Sequence, residues 1–333
     1  MKAWRIEAFG PLENAVYGDF PDPVPGDGEV LIDVAAASVN FPDLLMMQGQ
    51  YQTKPALPFV PGRDAAGIIA ALGKGVHNLR VGDRVATMAV HGAFASRLAV
   101  PASRCYPIPD DLGFDAAAAM VTVYATVLVA LHKRAKAQPG ERVLVLGAGG
   151  GVGIATVSYA RLLGCRVVAV VSSAEKQALV QEAGADAVIV AKDADSMRAE
   201  VLKWSGNAGV DVAIDPVGGD MFDAALRCMA PQGRLVVVGF AAGRIPTIRA
   251  NYILLKDIAV MGSSLERWVQ AEPMTMAKDI GDIFKAGAAG RLPFWITDRL
   301  KIEDGMAAFR AIAERTARGK IVLEIGAPML KSP

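Results

Sequence analysis

Arg142-Val143-Leu144-Val145-Leu146-Gly147-Ala148-Gly149-Gly150-Gly151-Val152-Gly153-Ile154 is the stretch that decides the fold. Its first five residues are almost continuously apolar, as in a strand covered on both faces rather than one. A glycine cluster follows at once. Beyond it, Val152, Ala155, Tyr159 and Leu162 recur at spacings of three and four, the mark of one helix face. A strand, a glycine turn and a helix in that order let the backbone approach a pyrophosphate, which then meets the positive end of the helix.

Outward from this point the pattern repeats. Apolar strands are predicted at 166–171, 187–190, 211–215, 234–239 and 258–261, with helical segments between most of them. Six buried strands alternating with helices imply a parallel, doubly wound sheet of the Rossmann type, and turn the glycine cluster into a dinucleotide site. Up to about residue 110 the texture differs. Short strands at 30–39, 67–71, 84–88 and 97–100 are separated by Gly and Pro, which predicts a mainly β domain. The last stretch is mixed and ends in a strand at 320–325. The expected division is residues 1–123 with 265–333 in one domain and 124–264 in the Rossmann domain.

The second Rossmann strand selects the dinucleotide. Sites for NAD usually end that strand with Asp or Glu, which holds the ribose 2′-hydroxyl. Here it runs into Ser172-Ser173-Ala174-Glu175-Lys176, with no acid at its tip. Two hydroxyls and Lys176 suit a 2′-phosphate, and Lys192 after the next strand adds a cation. The expected cofactor is NADPH. The other reading of Glu175 and Lys176 is a solvated first helical turn.

Composition excludes several classes. With 35 basic and 34 acidic side chains the formal net charge is +1, and no basic block stands out, which argues against a nucleic-acid partner. The apolar run from Ala116 to Leu131 contains Thr122, Tyr124 and Thr126 and falls short of the roughly 20 apolar residues of a spanning helix. It is expected as a buried helix, with no membrane partner. The start, Met1-Lys2-Ala3-Trp4-Arg5, lacks the apolar core of a signal peptide. Three scattered cysteines offer no disulfide framework, so a cytoplasmic location is expected.

Val39-Asn40-Phe41-Pro42-Asp43, Pro61-Gly62-Arg63-Asp64-Ala65-Ala66-Gly67 and Val81-Gly82-Asp83-Arg84-Val85, with the glycine turn behind them, resemble the medium-chain dehydrogenase/reductase superfamily. The likeness is to its quinone oxidoreductase (zeta-crystallin-like) branch and covers nearly the whole chain. It implies a GroES-like catalytic domain around a Rossmann domain, with the active site in the cleft. It also implies a homodimer paired near Ile258 to Gly262. Zinc members of the superfamily bind catalytic metal with Cys where this chain has Asn40 and His where it has Arg63. Four closely spaced cysteines for a structural zinc are not available. No metal is therefore expected; His77, His91 and His132 show no ligand spacing.

The same resemblance implies the site. Asn40 would donate an amide hydrogen to the substrate carbonyl or fix the nicotinamide, and Tyr51 would act as an acid, the alternative being a loop aromatic over an apolar patch. Gly150, Gly151, Val152, Thr122, Gly239, Phe240 and Ser263 would contact the cofactor. Tyr51, Arg63 and Tyr124 would line the substrate pocket. Core packing is an equal contender for Thr122 and Tyr124, and Arg63 either meets an anionic substrate or pairs with Asp64. The expected activity is metal-free, NADPH-dependent reduction of a small quinone or α,β-unsaturated carbonyl compound. Reduction of a 2-enoyl thioester is the alternative, and a cofactor-binding structural or RNA-binding role is the alternative outside enzymes.

Overall fold

The computed structural model describes residues 1–326. The chain forms two compact units: Met1–Thr122 with Ala277–Gly290 and the chain from Phe294 on, and Val123–Met276 with Arg291–Pro293.

The first unit is organised on the long strand Glu29–Val39, rich in the β-branched and small residues that suit a buried pleated surface. It pairs antiparallel with Asp64–Leu72, Arg97–Pro101 and Lys320–Glu324. The register sets Ser38 opposite Asp64 and Val39 opposite Ile321. Gly67 is needed where the pairing with the long strand shifts, because a Cβ there would stand 2.1 Å from the Asp33 carbonyl oxygen. The rest of the seven-stranded sheet is built from Arg84–Met88, Cys105–Pro107 and Ile296–Lys301. Its core includes Trp4, Phe94 and Phe309, with Phe94 and Phe309 stacked at 5.4 Å.

The second unit carries a six-stranded sheet, every neighbouring pair parallel. In space the strands run Ala187–Val190, Arg166–Val171, Arg142–Val145, Val210–Asp215, Met229–Val237, Ala259–Gly262. Numbered along the chain that is 3-2-1-4-5-6, the doubly wound order. The order reverses between Arg142–Val145 and Val210–Asp215, so a crevice opens at the carboxyl ends of those two strands, the general ligand position in such sheets.

Two expectations change in detail. The boundary anticipated at 264/265 falls at 276/277. Helix Leu265–Ala271 stays with the second unit: Val269 is buried, and the Lys133 ammonium lies 5.4 Å from the Trp268 ring centre. The apolar helix is also longer than its apolar run. Phe114–Val127 continues as a wider-wound turn through Leu128–Arg134, which makes it long enough by length and composition to cross a bilayer. Of its most apolar window 83% is buried within the protein, as in the core helix of a globular fold.

Candidate active site

In the second unit the glycines have separate tasks. Gly147 takes φ +60°, a conformation that L side chains rarely adopt, and so turns the chain out of the strand. Gly153 allows the helix to pack on the turn: a Cβ there would lie 2.2 Å from the Gly147 carbonyl oxygen. At Gly150 the nearest such neighbour is 3.6 Å away, and the residue is exposed, so its backbone is open to a ligand. Helix Gly151–Leu162 begins directly after it with no side chain capping its amides. Gly151 and Val152, half-buried, form its first turn.

The tip of the second strand comes back to this turn. Lys176 is half-buried and its aliphatic stem lies over Gly149, where a Cβ would stand 2.6 Å from Lys176 Cδ. Its stem is thereby packed on the glycine turn, so Lys176 is not a purely solvated residue. Ser172 and Lys192 are exposed and Ser173 half-buried.

Across the switch point the crevice is bounded by the turn after Val210–Asp215. Asp215 is fully buried, and its Oδ1 accepts from the amides of Val217 at 2.7 Å and Gly218 at 2.9 Å. Burial pushes its carboxyl above the ordinary carboxylate range, and those two amides pull it part of the way back. Its carbonyl oxygen accepts from Val238 and Gly239, which places Gly239 beside the turn, and the neighbouring Phe240 ring is 37% exposed. The Ser263 amide donates to Val237, while its buried hydroxyl has no partner among the described residues.

The candidate catalytic residues sit in the first unit at the two ends of one short helix, Phe41–Met47. Asn40 precedes it, and its amide donates to Asp43 Oδ2 at 2.8 Å, satisfying an otherwise orphaned group. At the other end Gly49, with φ +70°, reverses the chain, and the amides of Gln50 and Tyr51 return to the Leu45 carbonyl. Tyr51 is half-buried, with the Arg63 guanidinium carbon 5.8 Å from its ring centre.

The structure corrects the role expected for Asn40. Its side-chain amide donates to Asp64 Oδ2 at 2.8 Å and to the Ser38 carbonyl at 3.2 Å, and its Oδ1 accepts from Lys320 Nζ at 2.7 Å. Both amide hydrogens are spent inside the protein, leaving none for a substrate. Tyr124 is corrected as well. It is 1% exposed, and its hydroxyl donates to the Pro293 carbonyl, so it packs the second unit rather than lining a pocket. Thr122 stays half-buried and donates to Asp64 Oδ1 at 2.5 Å.

These bonds expose a cluster that sequence reasoning missed. Asp43, Asp64 and Lys320 are all buried. Burial, with the neighbouring Asp64 charge, pushes Asp43 up to about 7, and one of its oxygens has no partner among the described residues. Burial also raises Asp64, against the pull of Lys320, Thr122, Asn40 and Arg63, and it lowers Lys320 against the pull of both carboxylates. Arg63 thus acts electrostatically on Asp64 as well as standing over Tyr51. Two signals were legible: the Asn40-x-x-Asp43 capping spacing, and lone charges, Asp64 and Lys320, heading apolar strands. Among the described residues no three His, Cys, Asp or Glu side chains group as metal ligands.

Comparisons with known proteins agree with this layout. Residues 26–110 match the alcohol dehydrogenase GroES-like domain and residues 151–280 the zinc-binding dehydrogenase domain. Quinone oxidoreductase-like protein 2 of Bos taurus is 35% identical over 298 residues, 89% of this chain and 85% of its own. Mycobacterial Rv1454c, solved in complex with NADPH, superposes with a TM-score of 0.91 at 31% identity, covering 98% of this chain and 100% of the other. Escherichia coli quinone oxidoreductase, also solved with NADPH, gives 0.90 at 26% identity with the same coverage.

Proposed function

The chain belongs to the medium-chain dehydrogenase/reductase superfamily, in its quinone oxidoreductase-like branch, and from that premise we propose that it is an NADPH-dependent reductase of quinones or α,β-unsaturated carbonyl compounds that works without a metal. The observation that carries the reading is Lys176 lying on an open glycine turn, beside a strand tip that bears no acid. A bound NADPH would supply the hydride. The amides after Gly150 receive the pyrophosphate, and Ser172, Ser173 and Lys176, with Lys192 beyond, receive the 2′-phosphate. Gly239, Phe240 and Ser263 border the nicotinamide end of the crevice.

Tyr51 is the group that meets charge growing on the substrate oxygen. Its hydroxyl is a donor, and Asn40 has no hydrogen to offer. Arg63 beside the Tyr51 ring adds a fixed positive charge. A guanidinium is protonated at all working pH values and cannot ligate a metal, so Arg63 and Asn40 do not fit the zinc chemistry of the superfamily's metal-dependent members. The test is NADPH consumption with a panel of quinones, enones and enoyl thioesters, before and after dialysis against a strong chelator. Turnover of quinones or enones that survives chelation supports the reading. Preference for enoyl thioesters replaces the substrate class, and chelator-sensitive activity restored by zinc removes the metal-free mechanism.

A homodimer belongs to the same proposal. Ala259–Gly262 is the edge strand of its sheet, and Leu254 and Leu255 before it are 81% and 79% exposed. Light scattering should give twice the chain mass; a monomer at micromolar concentration would refute it.

A further inference from the structure

We infer that the second unit holds another small-molecule site, at the opposite end of its sheet from the glycine turn, fitted to a carboxylate that carries a short apolar chain. The site is a cavity of about 380 Å³ beside the first residues of strands Val210–Asp215 and Met229–Val237. Ligand pockets run from about 300 to 1,000 Å³, so the occupant is small. The proposed dinucleotide crevice opens where these parallel strands end. Between Val210 and Asp215 lie five residue steps of about 3.3 Å, so about 16 Å of strand separates the two sites.

Two cations give the cavity its charge. Lys256 ends helix Ala250–Lys256, and its half-buried ammonium donates to the carbonyls of Arg227 at 2.7 Å and Met229 at 3.2 Å, where helix Gly219–Cys228 ends. An ammonium has three hydrogens, and the third has no acceptor among the described residues. Burial holds Lys256 below the ordinary lysine range. The titratable groups that act on it are the Cys228 thiol, pushed up to about 11 by burial and so neutral, and Arg198, a like charge. Lys256 therefore stands partly out of water with no counter-ion among the described residues, an arrangement that an anion relieves. Arg227 is the second cation. Its Nε donates to the Asp223 carbonyl at 3.3 Å, and its ion-pair partner, Asp195 at 3.8 Å, is 89% exposed and screened by water.

The lining decides which anion fits. Leu202, Met229, Pro231 and Leu255 give the cavity an apolar wall, which inorganic phosphate would leave wet and a short hydrocarbon chain would cover. Asp257 also lines the cavity without pairing with either cation among the described residues, and its charge disfavours a dianion. A carboxylate brings one negative charge and two acceptor oxygens to the N–H groups of Arg227 and Lys256, and its chain meets the apolar wall.

The experiment is calorimetric titration of the full chain with octanoate and with octanamide, which keeps the chain and removes the charge. Leu255 also belongs to the surface proposed for a second copy, so stoichiometry is counted per chain. The wild type should bind octanoate at one site per chain, at least tenfold tighter than octanamide, about 1.4 kcal/mol. Arg227→Gln and Lys256→Met should each bring that ratio below threefold. If loss of its two carbonyl bonds keeps Lys256→Met from folding, Arg227→Gln decides. Saturating NADPH should leave the octanoate Kd within twofold. Absent or equal binding of the two compounds, an unchanged ratio in either folded variant, or displacement of octanoate by NADPH each overturns the inference. None of these outcomes bears on the proposed reductase activity.

Discussion

Gly153→Ala tests the glycine turn most directly, because the atoms an added methyl group would meet cannot move aside. Its Cβ would lie 2.2 Å from the Gly147 carbonyl oxygen and 2.6 Å from Ala148 Cα, both backbone. Relief to about 3.3 Å, the near limit of a carbon–oxygen contact, requires the helix to move by about 1 Å. Overpacking of this kind costs about 1–3 kcal/mol. At about 2–4 °C per kcal/mol for a domain of this size, Tm should fall by about 2–12 °C. The same shift carries the first helical amides away from a bound pyrophosphate. Losing one charge-assisted hydrogen bond, about 1.5–3 kcal/mol, should raise the NADPH Kd about 10- to 150-fold. Gly150→Ala is the control. Gly150 has φ −92° and only Gly147 O, at 3.6 Å, near its Cβ position, so stability should change by no more than about 0.5 kcal/mol. Its methyl group would still stand where the phosphate approaches, and binding should weaken. Thermal melts and NADPH titrations of both variants separate the two effects. A Gly153→Ala protein with wild-type Tm and Kd would refute the close-packing argument, and tight binding by Gly150→Ala would remove the turn as the phosphate site.

Tyr51→Phe keeps the ring beside Arg63 and deletes the donor, so kcat on enones should drop on the order of a hundredfold with NADPH binding preserved; near-full kcat on every enone would leave Tyr51 a pocket wall. Lys176→Ala should weaken NADPH by about tenfold while NADH binding hardly changes, and an equal loss for both would assign Lys176 to the pyrophosphate or to packing. Asp43, pushed up to about 7 chiefly by burial, keeps its proton in the folded protein where the unfolded chain has lost it. Its contribution is therefore present below the unfolded carboxylate value and lost as pH rises through about 7. Asp43→Asn should remove that slope, so the variant's Tm gains on the wild type between pH 5 and pH 8; a pH-independent difference would contradict the raised value.

The parts of the site that rest on short-range signals were legible from the residues alone. Apolar runs gave the six strands of the parallel sheet to within a few residues, because buried strands and helix faces impose local periodicity. The glycine turn at 147–153 was readable because Gly147 turns the chain at positive φ and Gly153 packs on the Gly147 carbonyl, both local demands, whereas Gly149 answers to Lys176 from further along the chain. The acid-free tip at Ser172 likewise needed no long-range knowledge.

Tertiary structure decided what Asn40, Tyr124 and Thr122 do with their polar atoms. A resemblance places Asn40 at a site but cannot say where its hydrogens go. The partner that settles this, Lys320, is 280 residues away in the chain and reaches Asn40 only because strand Lys320–Glu324 returns beside Glu29–Val39. Tyr124 looked pocket-like on a helix whose faces are nearly all apolar, where periodicity cannot separate an outer face from an inner one. Its burial was set by the Pro293 carbonyl, brought in from another part of the chain. Sequence determined which residues form strands, turns and helices, since those preferences act over a few neighbours. The direction of each hydrogen bond in the site depended on which distant charge was buried beside it, because only in the folded interior does an unpaired polar atom cost enough to choose its partner.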